Sequence, residues 1–136
     1  MLRAQIAQLQ ADLAACKASA EALAATLDSI GDPVFVKDAG HRLVLVNKAE
    51  CELAGRPRED LIGRTDYDFF PKEQVDVFWQ KDDAVLATGQ ESLNEETITE
   101  ASGRVRTIVT RKRLHVDSSG RKFIDVFACV MTSSLI

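Results

Sequence analysis

The first thirty residues of the chain carry an unbroken heptad repeat. Their apolar positions recur in steps that alternate between four and three residues, which is the spacing of one stripe along a coiled-coil helix. With Ile and Leu at position a and mainly Leu at position d, this stripe favours two strands. An alanine-rich helix that packs on its own domain is the alternative. The predicted dimer seam consists of Leu2, Ile6, Leu9, Leu13, Cys16, Ala20, Leu23, Leu27 and Ile30.

Composition changes abruptly at Gly31. Residues 1–30 contain no glycine, proline or aromatic residue, and all 7 glycines, 3 prolines and 8 aromatic residues follow. A segment without aromatic residues cannot build a globular core alone, whereas the longer remainder can. The sequence therefore predicts two units, an N-terminal amphipathic helix over 1–30 and a globular domain over 31–136.

Several classes of protein are excluded by composition and motifs. No apolar run approaches the ~18 residues of a membrane span, and no signal-peptide pattern opens the chain, so we expect a cytoplasmic protein. A formal net charge of −4 gives no general attraction to nucleic acid. No catalytic motif occurs, so no enzymatic activity is expected. The three cysteines form no disulfide or metal pattern and are expected to be reduced and mostly buried; they are Cys16, Cys51 and Cys129.

Strand and helix patterns in the globular part follow an order typical of an α+β domain. Asn47 and Glu50 form a capping box that starts a short helix, and a further helical turn is predicted at 58–62. A longer helix is predicted over 71–88, with Pro71 in its first position and Gly89 just past its end. Two strands precede these helices and three follow them. The predicted strands are 34–37, 42–46, 92–100, 104–116 and 122–130. They predict a five-stranded antiparallel sheet with helices on one face.

Short motifs within this part resemble the PAS family of sensory domains. They keep the order of that family from residue 27 to about 132. They are the segment 38–47, Leu-Ala-Gly at 53–55, Leu-Ile-Gly-Arg-Thr-Asp at 61–66, Phe-Pro at 70–71, Gly103, Lys112 and Asp-Ser-Ser-Gly at 117–120. The resemblance implies the sheet order 2-1-5-4-3, a preceding helix that dimerises, and a ligand position between the sheet and the central helices.

This resemblance directs attention to four candidate pocket residues. Trp79 and Phe78 lie on the long helix, and Arg113 and His115 lie on the fourth strand. If the arginine face of that strand pointed inward, the pocket would suit a carboxylate or phosphate, or haem through His115. We favour the opposite parity, because buried unpaired arginines are costly. That parity turns inward Ile108, Thr110, Lys112 and Leu114.

No cofactor is identified by the sequence, and no metal site is expected. Similar haem-binding domains commonly use a histidine on the long helix, and residues 71–88 contain none. Light-sensing flavin relatives need a cysteine just after Gly63-Arg64, where this chain has Thr65. The remaining charged and imidazole side chains considered for chemistry are expected in solvent. They are His41, Asp82, Asp83, Glu95 and Glu96.

Taken together with the heptad repeat, the PAS resemblance implies a non-catalytic sensory and dimerisation module of a signal-transduction protein. A change in the pocket or in dimer packing would alter how two N-terminal helices lie against each other. The expected partners are a second copy of the chain, a small-molecule ligand, and an effector domain or protein outside this chain. The alternative is a ligand-free interaction module with a filled core, and a haem- or flavin-binding sensor ranks below both.

Overall fold

The computed structural model describes residues 1–131, and its first element is the helix that the heptad repeat predicts. Helix α1 spans Leu2–Asp28, and none of these residues is buried. Its apolar stripe faces solvent, with Leu9 67% and Leu13 66% exposed. The chain then turns through a short connection into the α+β domain. Helix α1 therefore contributes no side chain to the domain core.

Five antiparallel strands form one sheet in the order β2-β1-β5-β4-β3, as the resemblance implies. Each strand begins and ends within one residue of its predicted limits. The strands are β1 (Val34–Asp38), β2 (Leu43–Val46), β3 (Ser92–Thr99), β4 (Val105–Val116) and β5 (Lys122–Val130). Lys37 lies opposite Ile124, and Lys112 lies opposite Val126. The register therefore turns both lysines to the face that Ile124 and Val126 share.

The helices lie on this inner face. They are α2 (Lys48–Ala54), α3 (Arg58–Leu61), a 3-10 turn (Asp66–Asp68) and α4 (Lys72–Thr88). Asn47 Oδ1 accepts a hydrogen bond from the Glu50 N–H at 3.1 Å, which confirms half of the capping box. The Glu50 side chain turns inward instead of completing it. Pro71 lies just before α4 and not in its first position. Gly55 ends α2 at φ 70°, and a Cβ there would lie 2.3 Å from Ala101 Cβ.

An apolar core fills the space between helices and sheet. Its fully buried members come from both the sheet and the helices, and their close packing fixes the distance between these two layers. They include Leu43, Leu61, Val75, Val85, Ile124 and Val126. Within residues 1–131, no helix is long and apolar enough to cross a membrane, and no group of His, Cys, Asp or Glu side chains is arranged to hold a metal ion.

Some expectations about polar residues and cysteines are wrong. His41 is 7%, Asp82 0% and Glu96 5% exposed, because each has charged partners inside the domain. Cys16 and Cys129 are exposed, and Cys51 is half-buried. Cys16 lies on the uncovered stripe of α1, and Cys129 lies on the outer face of β5.

Candidate functional site

A cavity between the sheet and the helices is lined by both apolar and charged side chains. Its volume is about 20 Å³, which is room for one water molecule. The apolar lining includes Phe35, Phe70, Phe78, Ile98, Ile108 and Val126. The ionisable lining consists of Lys37, Glu50, Asp66, Glu96 and Lys112. Such a density of buried ionisable groups requires that they pair with one another.

Lys37 of β1 is held by two carboxylates. Its Nζ donates hydrogen bonds to Asp66 and, at 2.9 Å, to Asp82 Oδ2. Burial disfavours the charge on Lys37, but the attraction of Asp66 and Asp82 outweighs burial, so the pKa of Lys37 is raised above its usual range. Lys37 is therefore a fixed cation in the wall of the cavity.

Lys112 of β4 forms the second cationic centre. Its Nζ donates to the Phe78 carbonyl at 3.2 Å and lies 3.0 Å from Asp82 Oδ1 and 3.1 Å from Glu96 Oε1. Thr110 Oγ1 also donates to Glu96 Oε1 at 2.9 Å. Asp82 of α4 thus bridges Lys112 to Lys37. Burial disfavours its ionisation, but the hydrogen bond from His41 and the two lysine charges hold the pKa of Asp82 well below its usual range.

His41 extends the network towards the surface. Its Nε2 lies 2.7 Å from Asp83 Oδ1, and its Nδ1 lies 3.3 Å from Asp82 Oδ2. Its ring stacks on Trp79 with the centroids 3.8 Å apart. Burial by itself lowers the pKa of His41, but hydrogen bonding to both aspartates outweighs it and raises the pKa. The backbone of His41 has φ 65°, which is unusual for a residue other than glycine. These contacts therefore hold a strained turn against α4.

Glu50 of α2 is the cavity residue whose polar atoms are not fully paired. The side chain is buried, and Oε2 has no hydrogen-bond partner among residues 1–131. Burial, assisted by the nearby charge of Asp66 and opposed by Lys37, raises the pKa of Glu50 to about 8. Burial therefore favours the protonated form of this carboxyl, which has one donor beside one acceptor.

Asn47 connects this wall of the cavity to the end of α1. Its Oδ1 accepts hydrogen bonds from the Val34 N–H at 3.0 Å and the Glu50 N–H at 3.1 Å. Its Nδ2 donates to the carbonyl oxygens of Leu27 at 3.1 Å and Asp32 at 3.0 Å. One fully buried amide thus holds α2, β1 and the last turn of α1 together.

Asp28 adds a second connection at the same place. Its Oδ1 accepts hydrogen bonds from the Lys48 N–H at 2.9 Å and from Arg58 Nη2 at 2.6 Å. Arg58 Nε also donates to the Val46 carbonyl at 3.1 Å. The end of α1 is therefore joined to α2, α3 and β2.

The four predicted pocket residues fall in different places. Phe78 lines the cavity. Trp79 lies beside it, half-buried between His41 and Tyr67. Arg113 and His115 are exposed on the outer face of β4, where His115 Nδ1 lies 3.1 Å from Asp125 Oδ1. The structure does not bring these two residues to the cavity, because alternation along β4 turns Lys112 inward instead.

Sequence reasoning missed most of the charged network. When the partners of a buried charged residue lie on other elements, the sequence pattern does not distinguish that residue from an exposed one. One usable indication was Asp82, which continues the helical spacing of Val75, Phe78 and Val85 and therefore lies on the buried stripe of α4. Lys37 likewise shares strand parity with Phe35.

The sheet order and the cavity closed by helices define an α+β domain of the PAS type. The family model described as PAS fold matches residues 27–132. The chain therefore belongs to the PAS family.

Relatives of known sequence or structure are similar over most of this chain. The uncharacterized protein y4lL of Sinorhizobium fredii is 42% identical over 111 residues, 79% of this chain and 13% of that protein. VqmA of Vibrio cholerae matches with a TM-score of 0.72 and 27% identity over 80% of this chain and 50% of VqmA. The PAS domain of an HTR-like protein from Haloarcula marismortui has a TM-score of 0.70 and 15% identity, covering 90% of this chain and 99% of that domain.

The chain spans only a small part of y4lL and half of VqmA. VqmA is described as a dimer and a LuxR-type receptor with target DNA, and one structure shows it bound to DPO. The Haloarcula domain supports the fold alone.

Proposed function

We propose that the chain is a sensory and dimerisation module of a signal-transduction protein, in which a change at the cavity alters the packing of two α1 helices. The observation that carries this proposal is the position of Asn47. It caps the helix that brings Glu50 into the cavity, and its Nδ2 also donates to the Leu27 carbonyl in the last turn of α1. A displacement of α2 is thereby coupled to the end of the predicted dimer helix.

A second copy of the chain is the proposed partner of α1. The stripe is exposed except at Leu27, which is half-buried, and Leu2 is 69% and Leu23 67% exposed. A helix of 27 residues that contacts the domain only near its C-terminal end is weakly stabilised in water, and burying its apolar stripe in a coiled coil supplies the missing free energy. The description of VqmA as a dimer supports this assignment.

A small molecule in the cavity is the proposed signal. VqmA, 26% identical to this chain in the DPO complex, supports a ligand-binding role. A volume of about 20 Å³ means that a ligand larger than water must displace lining side chains. Because protein interiors are close-packed, such a displacement is transmitted to the elements that carry those side chains. Catalysis and nucleic-acid binding by this chain form no part of the proposal, and the effector is proposed to be another domain or protein.

A ligand-free interaction module is the second candidate. The small volume of the cavity and the ion pairs that fill it favour this alternative. Both candidates require the dimer, but only the sensor requires that a change at the cavity reach α1. The experiments therefore test the dimer and the coupling separately.

Cysteine cross-linking tests the dimer. Cys16 lies near the middle of α1 and comes close to its counterpart in either orientation, so it is replaced by Ser together with Cys51 and Cys129. In this background Leu9→Cys, at position d, is expected to form a disulfide-linked dimer rapidly under mild oxidation in a parallel pair. Ala11→Cys, on the opposite face, is the matched control. Equal cross-linking of the two variants would reject a parallel dimer through α1.

Substitution of Asn47 tests the coupling. Asn47→Asp keeps the acceptor for the Glu50 N–H but loses the donor to Leu27 and places a carboxylate against its carbonyl. We expect a change of severalfold in the cross-linking rate of Leu9→Cys with the fold retained by circular dichroism. Asn47→Ser, which caps without added charge, separates loss of the donor from repulsion. An unchanged rate in both variants favours the interaction module.

A further inference from the structure

His41 joins the turn between β1 and β2 to helix α4. Both nitrogens of its ring face carboxylate oxygens, with Nε2 2.7 Å from Asp83 Oδ1 and Nδ1 3.3 Å from Asp82 Oδ2. An ionised carboxylate only accepts hydrogen bonds, whereas a neutral imidazole has one donor and one acceptor. Donation to both aspartates therefore requires the imidazolium. In the neutral ring one nitrogen presents its lone pair to an oxygen, and one of the two contacts is lost.

The two aspartates differ in how firmly they are held. Asp82 is fully buried, and its two oxygens lie 2.9 Å from Lys37 Nζ and 3.0 Å from Lys112 Nζ. The side chain of Asp83 is 64% exposed and has water as an alternative partner. When the ring is neutral, either Asp83 turns into solvent or the ring moves away from the fixed Asp82. The turn loses a contact with α4 in both cases.

The backbone at His41 depends on these contacts. Its φ of 65° is uncommon for a residue with a Cβ and persists where surrounding contacts maintain it. The turn is closed by Asp38 Oδ1, which accepts hydrogen bonds from the N–H groups of Gly40 at 2.8 Å and Arg42 at 3.0 Å. Those bonds lie within the turn and do not reach α4. The ring of His41 therefore maintains both the strained backbone and the attachment of the turn to the helix.

Charged groups from several elements lie around this ring or are linked to it through Asp82. The two that belong to the turn are engaged elsewhere, since Asp38 binds backbone N–H groups and Arg42 donates to a backbone carbonyl at 2.7 Å. Burial disfavours the imidazolium, but the hydrogen bonds to Asp82 and Asp83 outweigh burial and raise the pKa of this imidazole. The complete set consists of Asp38, Arg42, Asp82, Asp83, Lys37 of β1, Asp66 of the 3-10 turn, Glu96 of β3 and Lys112 of β4.

We infer that His41 is a proton-dependent switch, whose imidazolium holds the β1–β2 turn on α4 and whose neutral form releases the turn. The inference goes beyond the proposed function, because the ligand is the proton and neither a molecule in the cavity nor a second copy of the chain is required. The turn leads directly into β2, and Asn47, the next residue after β2, binds the last turn of α1. Release of the turn therefore acts on the strand that precedes this connection.

Trp79 reports the state of the switch, because it is the only tryptophan of the chain and its ring stacks on His41 with the centroids 3.8 Å apart. Acrylamide quenching of its fluorescence in the full chain is expected to increase about twofold between about pH 5.5 and pH 9, as the turn uncovers the indole. The His41 ring signal in proton NMR should titrate with the same midpoint, and the exposed His115 gives the reference titration. Unchanged quenching while His41 titrates overturns the inference, since the contact is then a static ion pair.

Two variants test the two sides of the switch. Asparagine tolerates the left-handed backbone but does not titrate, so His41→Asn is expected to abolish the pH-dependent change in quenching. Asp83→Asn is expected to move the midpoint about 0.5–1 pH unit lower, because it removes one carboxylate from the imidazolium. Glu73→Gln makes the same change of charge at the exposed start of α4 and should leave the midpoint unchanged.

Glu50 requires a separate control, because its pKa is raised to about 8, within the same pH range. Glu50→Gln is expected to retain the pH-dependent quenching. A change that persists in His41→Asn, or that disappears in Glu50→Gln, assigns the response to another group and overturns the inference. A midpoint in Asp83→Asn equal to that of the parent chain overturns it as well, and this measurement does not depend on the folding of His41→Asn.

Discussion

Each face of the sheet carries exceptions to the usual distribution of charged and apolar side chains. On the inner face Lys37 and Lys112 are each 2% exposed, and Glu96 is 5% exposed. On the outer face Leu93 is 66% and Phe127 44% exposed. Burial of the charged side chains therefore depends on their ion-pair partners, within a core that is otherwise apolar. The charged cluster on the inner face suits a polar site, whereas the uncovered apolar side chains of the outer face suit association.

The inner charges come from distant parts of the chain. Asp82 of α4 joins Lys37 of β1 to Lys112 of β4 through contacts of 2.9 and 3.0 Å. Such a network is costly to form, because each charged group loses its hydration on burial. It is also costly to break, because removal of one member leaves the others buried without a partner. The exposed side chains of the outer face do not depend on buried partners in this way. Substitutions on the two faces should therefore change the free energy of unfolding by different amounts.

The largest difference is expected between two adjacent residues of β4. Lys112→Met leaves Asp82 and Glu96 buried without this cation, and we expect the free energy of unfolding to fall by about 3–5 kcal/mol. Arg113→Met, one residue further on the exposed face, should change it by less than about 0.5 kcal/mol. Urea denaturation at one fixed protein concentration measures both. Similar losses in the two variants would show that the faces are not energetically distinct.

The buried ionisable groups of the inner face should make the stability of the domain depend on pH. Glu50, with a pKa raised to about 8, and His41, whose pKa is also raised, hold protons in the folded state that the unfolded chain releases at lower pH. Their contribution is fully present below the unfolded pKa and is lost as pH rises through the folded pKa. We therefore expect stability to decrease between about pH 5 and pH 8, by up to a few kcal/mol.

The contribution of Asp82 to stability changes with pH in the opposite direction, because the pKa of Asp82 is lowered in the folded state. This contribution is lost only in acid, below the unfolded pKa of 3.8. Denaturant titrations at unit pH intervals measure the profile. Glu50→Gln should flatten the slope above pH 5, and Glu52→Gln should leave it as in the parent chain. A slope that persists unchanged in Glu50→Gln would contradict the assignment to Glu50.

Local patterns predicted the elements of this fold well. Strand alternation, the turns and the capping residue Asn47 act within a few residues, so the strands lie within one residue of their expected limits. The heptad repeat likewise predicted α1. The sheet order came from resemblance to the PAS family, because pairing between β1 and β5 joins segments that local patterns do not connect.

The charged cavity could not be predicted in the same way. Arg111, Lys112 and Arg113 are successive cations, and only the register with β5 decides that the middle one points inward. The favoured parity was correct because it kept the arginines in water. It did not identify the partners of Lys112, since Asp82 and Glu96 lie on other elements and look like surface acids in sequence.

The smallest effect on the stability of the isolated chain is expected on the outer face. Leu93 lies on β3 beside Phe127 and Arg111, and its side chain is 66% exposed. Leu93→Ser should therefore change the free energy of unfolding by less than about 0.5 kcal/mol at a concentration where the chain is monomeric. If a second copy covers this face, the same substitution should become more destabilising as concentration rises, because dimerisation stabilises only the folded chain. Urea titrations at two concentrations separate these cases: an effect independent of concentration confines dimerisation to α1, whereas a growing effect extends it to the sheet.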